Sequence, residues 1–100
     1  MIANHGFHAT MTARPGKGDA VVEMLLGAPS LAHEDCVVFL VGRSASDPDV
    51  VHVTEGWVSE EAHSRFFASA PAQALVGALQ PLLTDSQYTD EVPVGGKAAF

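Results

Sequence analysis

The middle of the chain constrains the fold most. CVVFLVGRS, Cys36 to Ser44, is apolar at every position as far as Val41, and VVHVTEGWV, Val50 to Val58, alternates two kinds of side chain. SASDPD between them is turn chemistry around Pro48, so the two runs read as an antiparallel hairpin. In its second strand Val51, Val53, Glu55 and Trp57 share one face, and His52, Thr54, Gly56 and Val58 share the other. The first strand, apolar without alternation, reads as one buried on both faces.

Helical patterns flank this hairpin, and a further strand lies beyond each. Phe7, Ala9, Met11 and Ala13 alternate with His8, Thr10 and Thr12, giving a first strand over residues 7–13. In RPGKGD, Pro15 and the glycines end it, and Asp19 is placed to cap a short helix from Ala20 that Pro29 breaks near Ala28. After the hairpin, Ser59 offers an N-cap oxygen and Glu60 and Glu61 suit the first turn of a helix reaching about Ser69. Ala70-Pro71 interrupts it and starts another, with Leu75, Val76, Leu79, Leu82 and Leu83 as an apolar face and Pro81 near its end. SQYTDEVPV is a weaker last strand, with Pro93 at an edge or at the end, and GGKAAF reads as a loose tail.

The order β, α, β, β, α in two pieces, β specifies an α+β fold: a four-stranded antiparallel sheet with helices on one face, the split βαβ or ferredoxin-like arrangement. One hundred residues suffice for one such domain, with a core over about 7–94 and a tail over 95–100. The uncovered sheet face would leave Val37, Phe39 and Val41, or their alternates, against water. A homodimer joined through the sheets is the simplest solution.

Charge and composition exclude several classes. Twelve acidic residues against five scattered basic ones give a net charge of −7, which repels nucleic acid and anionic membranes. No apolar run approaches the roughly twenty residues that span a bilayer, and the N-terminus lacks the pattern of a secretory signal, so a soluble cytoplasmic protein is expected. The single cysteine, Cys36, sits in an apolar run that suits an inert thiol in a reducing compartment.

Four pieces together resemble the antibiotic biosynthesis monooxygenases, small dimeric α+β barrels related to quinol monooxygenases. They are ARPGKGDAV, EDCVVFLVGRSASDPDVV, TEGWVSEEA and SAPAQALVGALQPLL, in the family's order and near its spacing over about residues 7–94. The chain departs from the family pattern at Asp35, Phe39 and Phe66, where many relatives carry glycine, tyrosine and histidine. Its first helix also reads a residue or two short. Likeness to the haem-degrading branch is weaker, with no clear counterpart of the residues that hold haem. The resemblance implies oxidation of small electron-rich aromatics, whether quinols, phenols or polyketide-type compounds, by molecular oxygen without metal or flavin. Such a substrate loses a proton to give an anion able to pass an electron to oxygen. An apolar pocket with one or two polar groups would suffice.

Candidate residues cluster around the end of the hairpin. On a helix, His63 lies within about 60° of Phe66, Phe67 and Ala70, so it points inward, and desolvation there favours its neutral, proton-accepting form. In some relatives the residue six beyond the tryptophan lines the pocket, which here is His63, a candidate base or anchor for a phenolic hydroxyl. A core histidine bonded to a backbone carbonyl is the alternative. Trp57 could wall the pocket and hold an oxygen with its N–H, or simply fill the core. Phe66, Phe67, Val53 and Glu55 complete the substrate-lining set, although a buried Glu55 needs a partner such as Arg43 or a backbone amide.

His5-x-x-His8 is poor metal evidence, since that spacing on a strand sends the rings to opposite faces, and five dispersed histidines do not make a zinc site. His8 and His52, opposed to the apolar residues of their strands, would enter the dimer interior. Asn4 reaches the pocket mouth or frays with the terminus. A non-catalytic dimeric barrel that binds a small apolar ligand or serves in assembly is the competing function.

Overall fold

The computed structural model describes residues 2–97. In chain order it comprises β1 (His5–Ala13), α1 (Gly18–Leu26), β2 (Cys36–Arg43), β3 (Val50–Trp57), α2 (Glu60–Phe67), α3 (Ala70–Leu79) and β4 (Leu83–Glu91). Short 3₁₀ turns at Pro29–Ala32 and Gln80–Leu82 follow α1 and α3. The four strands form one antiparallel sheet in the order β2-β3-β1-β4. This is the ferredoxin-like topology: the hairpin lies on one side of β1, and the last strand returns on its other side.

The turn from β1 into α1 shows where sequence reasoning went astray. Arg14-Pro15-Gly16-Lys17 closes with Lys17 N–H donating to the Arg14 carbonyl at 2.9 Å, and Gly16 adopts φ 80°, as a turn with proline then glycine at its centre requires. Asp19 is not the cap. The helix begins one residue before it, at Gly18, and Lys17 in the cap position supplies no side-chain bond. Asp49, at the far end of the β2–β3 turn, caps instead, accepting from Gly16 N–H at 3.1 Å and Gly18 N–H at 2.9 Å. Asp19 falls in the first turn, where its charge suits the helix dipole, and pairs with Arg43 at 2.8 Å.

α1 stops at Leu26, and Ala28 is already extended ahead of Pro29, as the proline dictates. The other helix starts follow their local chemistry. The Ser59 hydroxyl accepts from Ala62 N–H at 3.1 Å, and Ser69, which the sequence reading passed over, accepts from Ala72 N–H at 3.5 Å with Pro71 in the first turn. β4 begins at Leu83 and ends at Glu91, earlier at both ends than its composition suggested, because the Gln80–Leu82 turn delivers the chain directly into the sheet.

Within one chain the helices cover β2 on one face only. As an edge strand it is half-buried over most of its length, with Leu40 and Arg43 exposed. Phe39 and Val41, paired with Glu55 and Val53, point toward the helices and pack against the core, so Val38 and Leu40 take the open face. The core lies under the helices: Ala9, Met11, Val51 and Val53 from the sheet against Val21, Leu25 and Leu79. Burying a Val, Leu or Met side chain there contributes roughly 1.5–3 kcal/mol. Within residues 95–100 of the expected tail, Ala98, Ala99 and Phe100 lie outside the described residues.

Two glycines test this packing. A Cβ on Gly18 would fall onto the Pro48 carbonyl oxygen and within 2.9 Å of the Asp49 carboxylate, whereas one on Gly77 in α3 meets nothing within 4 Å. Gly18→Ala should cost about 1–3 kcal/mol, and Gly77→Ala should gain about 0.5–1 kcal/mol. Urea unfolding midpoints check both signs.

Candidate active site

Small side chains at facing positions leave a space between sheet and helices. Ala9 on β1 and Ala72 on α3 are both buried and both line a cavity of about 110 Å³. One water needs about 10–15 Å³ on this kind of measure, so the space admits a guest of several heavy atoms. Its apolar walls include Phe7 and Met11 from β1, Phe39 from β2, Val53 from β3, and Leu75, Val76 and Leu79 from α3. Phe67, half exposed, and Tyr88, on β4, stand at its rim. Phe66 also faces a second, more open hollow of about 400 Å³, whose lining includes His33, Asp35 and Arg65, and so separates the two.

One end of the cavity is polar. Glu55 projects from β3 on the covered face, and its Oε1 accepts from the Trp57 indole N–H at 2.9 Å. His63 faces it from α2, with Nε2 3.8 Å from the same oxygen. Both side chains are close to nine-tenths buried. Rings enclose the imidazole: Phe7 at 4.9 Å, Trp57 and His5 at 5.2 Å, and Phe67 at 6.4 Å between centroids.

Burial sets the electrostatics. Desolvation raises the Glu55 carboxyl above its ordinary range, opposed by the Trp57 hydrogen bond and by nearby His5. Desolvation lowers the His63 imidazole, reinforced by His5 and opposed by Asp90. Both shifts favour the uncharged forms, so this end can accept or give a proton without carrying a fixed charge. Cys36, half-buried beside this region, has its thiol pushed up to about 11 by burial and by the Glu55 charge, which leaves it unreactive at neutral pH.

Five of the six residues singled out from the sequence, Val53, Glu55, His63, Phe66 and Phe67, line the cavity. Trp57 does not. It is fully buried one layer behind, between His33, Phe66 and His63, with its N–H occupied by Glu55. Arg43 is not the partner of Glu55, because the strand end carries it to Asp19. Asn4 is tied down through its backbone to Trp57 and its side chain to Val58. His8 bonds Glu91 at 2.7 Å and His52 bonds Thr10 at 3.1 Å on the open face of the sheet.

Sequence reasoning missed Phe7, Tyr88 and His5. Phe7 carried a signal, since it alternates on the face of Ala9 and Met11. His5 lay outside the strand as read from sequence, and Tyr88 reaches the cavity only because β4 pairs with β1.

A sequence profile described as antibiotic biosynthesis monooxygenase matches residues 5–78. A structure from Chloroflexus aurantiacus J-10-fl, provisionally assigned to the same family, superposes with TM-score 0.82 at 31% identity, covering 94% of this chain and 96% of that one. The chain belongs to the antibiotic biosynthesis monooxygenase family. Two more distant structures share the fold: one from Pseudomonas aeruginosa (TM-score 0.82, 22% identity, 95% and 98% covered) and one from Mycobacterium tuberculosis (0.83, 19%, 96% and 100%). No significant match is found among curated proteins. Membership supports a general monooxygenase-like role, and among the described residues no helix is long and apolar enough to cross a membrane.

The raised Glu55 carboxyl makes a signed prediction. Because its folded pKa exceeds the ordinary 4.5, the unfolded chain releases that proton first as pH rises. Native stability therefore falls between 4.5 and the raised folded value, by up to about 1.4 kcal/mol per pH unit. Glu55→Gln keeps an acceptor for the indole and removes this slope, so the variant should gain on the native protein between pH 4 and pH 7. Urea midpoints at the two pH values measure it.

Proposed function

We propose that this family member oxidises a small electron-rich aromatic, a quinol, phenol or polyketide-type compound, with molecular oxygen and without metal or flavin in the chemical step. The observation that carries this reading is the Glu55–His63 pair, desolvated and 3.8 Å apart, at the end of a mainly apolar cavity. A flat guest against Phe7 and Phe67 presents a hydroxyl to the imidazole. His63 accepts the proton, and Glu55 Oε1, 3.8 Å away, faces the positive charge it gains. The resulting aryl oxide passes one electron to O₂, and the radical pair combines at carbon. For an anthrone-type CH₂, loss of water from the hydroperoxide leaves a carbonyl. Phe66 supplies no second base, so the chemistry rests on His63 alone.

The working unit is a homodimer with one cavity per subunit. Helices cover only one face of the sheet, and the other exposes Leu40 beside half-buried Val38. A cytoplasmic setting suits the lone, unreactive Cys36 thiol.

Oxygen consumption with a panel of quinols and anthrones tests the activity. His63→Phe, which keeps a ring in the stack, should lower turnover at least about 100-fold while leaving the dimer intact. Binding without oxygen uptake would instead support a ligand-binding barrel. Leu40→Glu should shift the native dimer toward monomer in sedimentation velocity, and an unchanged sedimentation coefficient would remove the open face from the interface.

A further inference from the structure

Three elements converge beside the cavity on a set of ligands that the reaction above does not use as such. His5 opens β1, His63 lies on α2 and Asp90 is near the end of β4. One nitrogen of each imidazole and one carboxylate oxygen all fall within 4.8 Å of one another. The His5 side chain is 9% exposed and its Nε2 has no hydrogen-bond partner among the described residues, although Asp90 Oδ1 stands 3.1 Å away, off the line a hydrogen bond needs. A buried imidazole nitrogen left unpaired there calls for a partner.

We propose that His5, His63 and Asp90 bind one divalent transition-metal ion of the zinc, cobalt or copper class. Two imidazoles and one carboxylate are the donor set such ions take, in preference to calcium or magnesium. Metal–ligand bonds of about 2.1 Å put tetrahedral ligands about 3.4 Å apart. Asp90, 70% exposed, is free to swing and close the set. Its open side leaves the remaining coordination position to water.

Occupancy has a consequence for the cavity. A neutral imidazole has a single nitrogen lone pair, so His63 holding a metal cannot accept a proton. Bound metal therefore switches off the base. This second step, unlike the site itself, rests on the function proposed above.

Equilibrium dialysis against Zn²⁺, and the visible absorption of Co²⁺, test the site directly. The native protein should bind one ion per chain. Asp90→Asn, at an exposed position, and His5→Gln should each weaken binding at least tenfold, while His8→Asn, on the other sheet face, should not. No stoichiometric binding, or binding unmoved by both substitutions, overturns the site. In oxygen uptake, Zn²⁺ should inhibit the native protein reversibly on chelation and spare Asp90→Asn at the same concentration. If Zn²⁺ binds as described and uptake is unaffected, the site stands and His63 is not the base.

Discussion

A carboxylate on the covered face of the sheet organises this structure. Glu55 follows Val51 and Val53 on β3, and strand alternation sends its side chain under the helices with theirs. An acid buried there without partners would be strongly destabilising, so its surroundings are fixed by that need. The only tryptophan supplies one N–H, and the adjacent helix brings His63 to the same oxygen. Together they leave a buried polar end in a cavity whose other walls are mainly aliphatic and aromatic.

That cavity depends on features distant in the chain. The Asp49 carboxylate ties the hairpin turn to the start of α1, and the Gly16 turn with Pro15 aims that helix across the sheet. The paired serine caps at Ser59 and Ser69 start α2 and α3 in succession. His63 and Phe67 therefore face the sheet from α2, with Leu75 and Leu79 beside them from α3. Small residues at Ala9 and Ala72 then keep the layers from closing.

Local chemistry made most of this legible. Alternation in β1 and β3, the two prolines that interrupt helices and the Ser59 cap each act within a few residues, and the element order follows from them. Helical spacing alone turned His63 inward beside Phe66 and Phe67. What the sequence hid depends on partners far along the chain. Asp49 caps a helix some thirty positions earlier, which no local rule can see, and Asp19 looked the better cap only because it was adjacent. The edge position of β2 is a matter of strand order, so within one chain its six consecutive apolar residues are covered on one face only. Trp57 lay on the expected face, but its N–H went to the side chain two residues before it and not to a guest. The grouping of His5 with His63 and Asp90 required three separate elements to meet.

The claim that a flat aromatic sits against the Glu55–His63 end is tested most directly through Trp57, whose indole N–H gives one resolved signal because the chain has a single tryptophan. In oxygen-free buffer, titration with a naphthol should move that ¹H–¹⁵N peak to saturation at one ligand per chain, together with the amides of Glu55 and His63. A peak that stays in place while the ligand perturbs only the open face around His8 and Thr54, or while nothing saturates, would contradict the account.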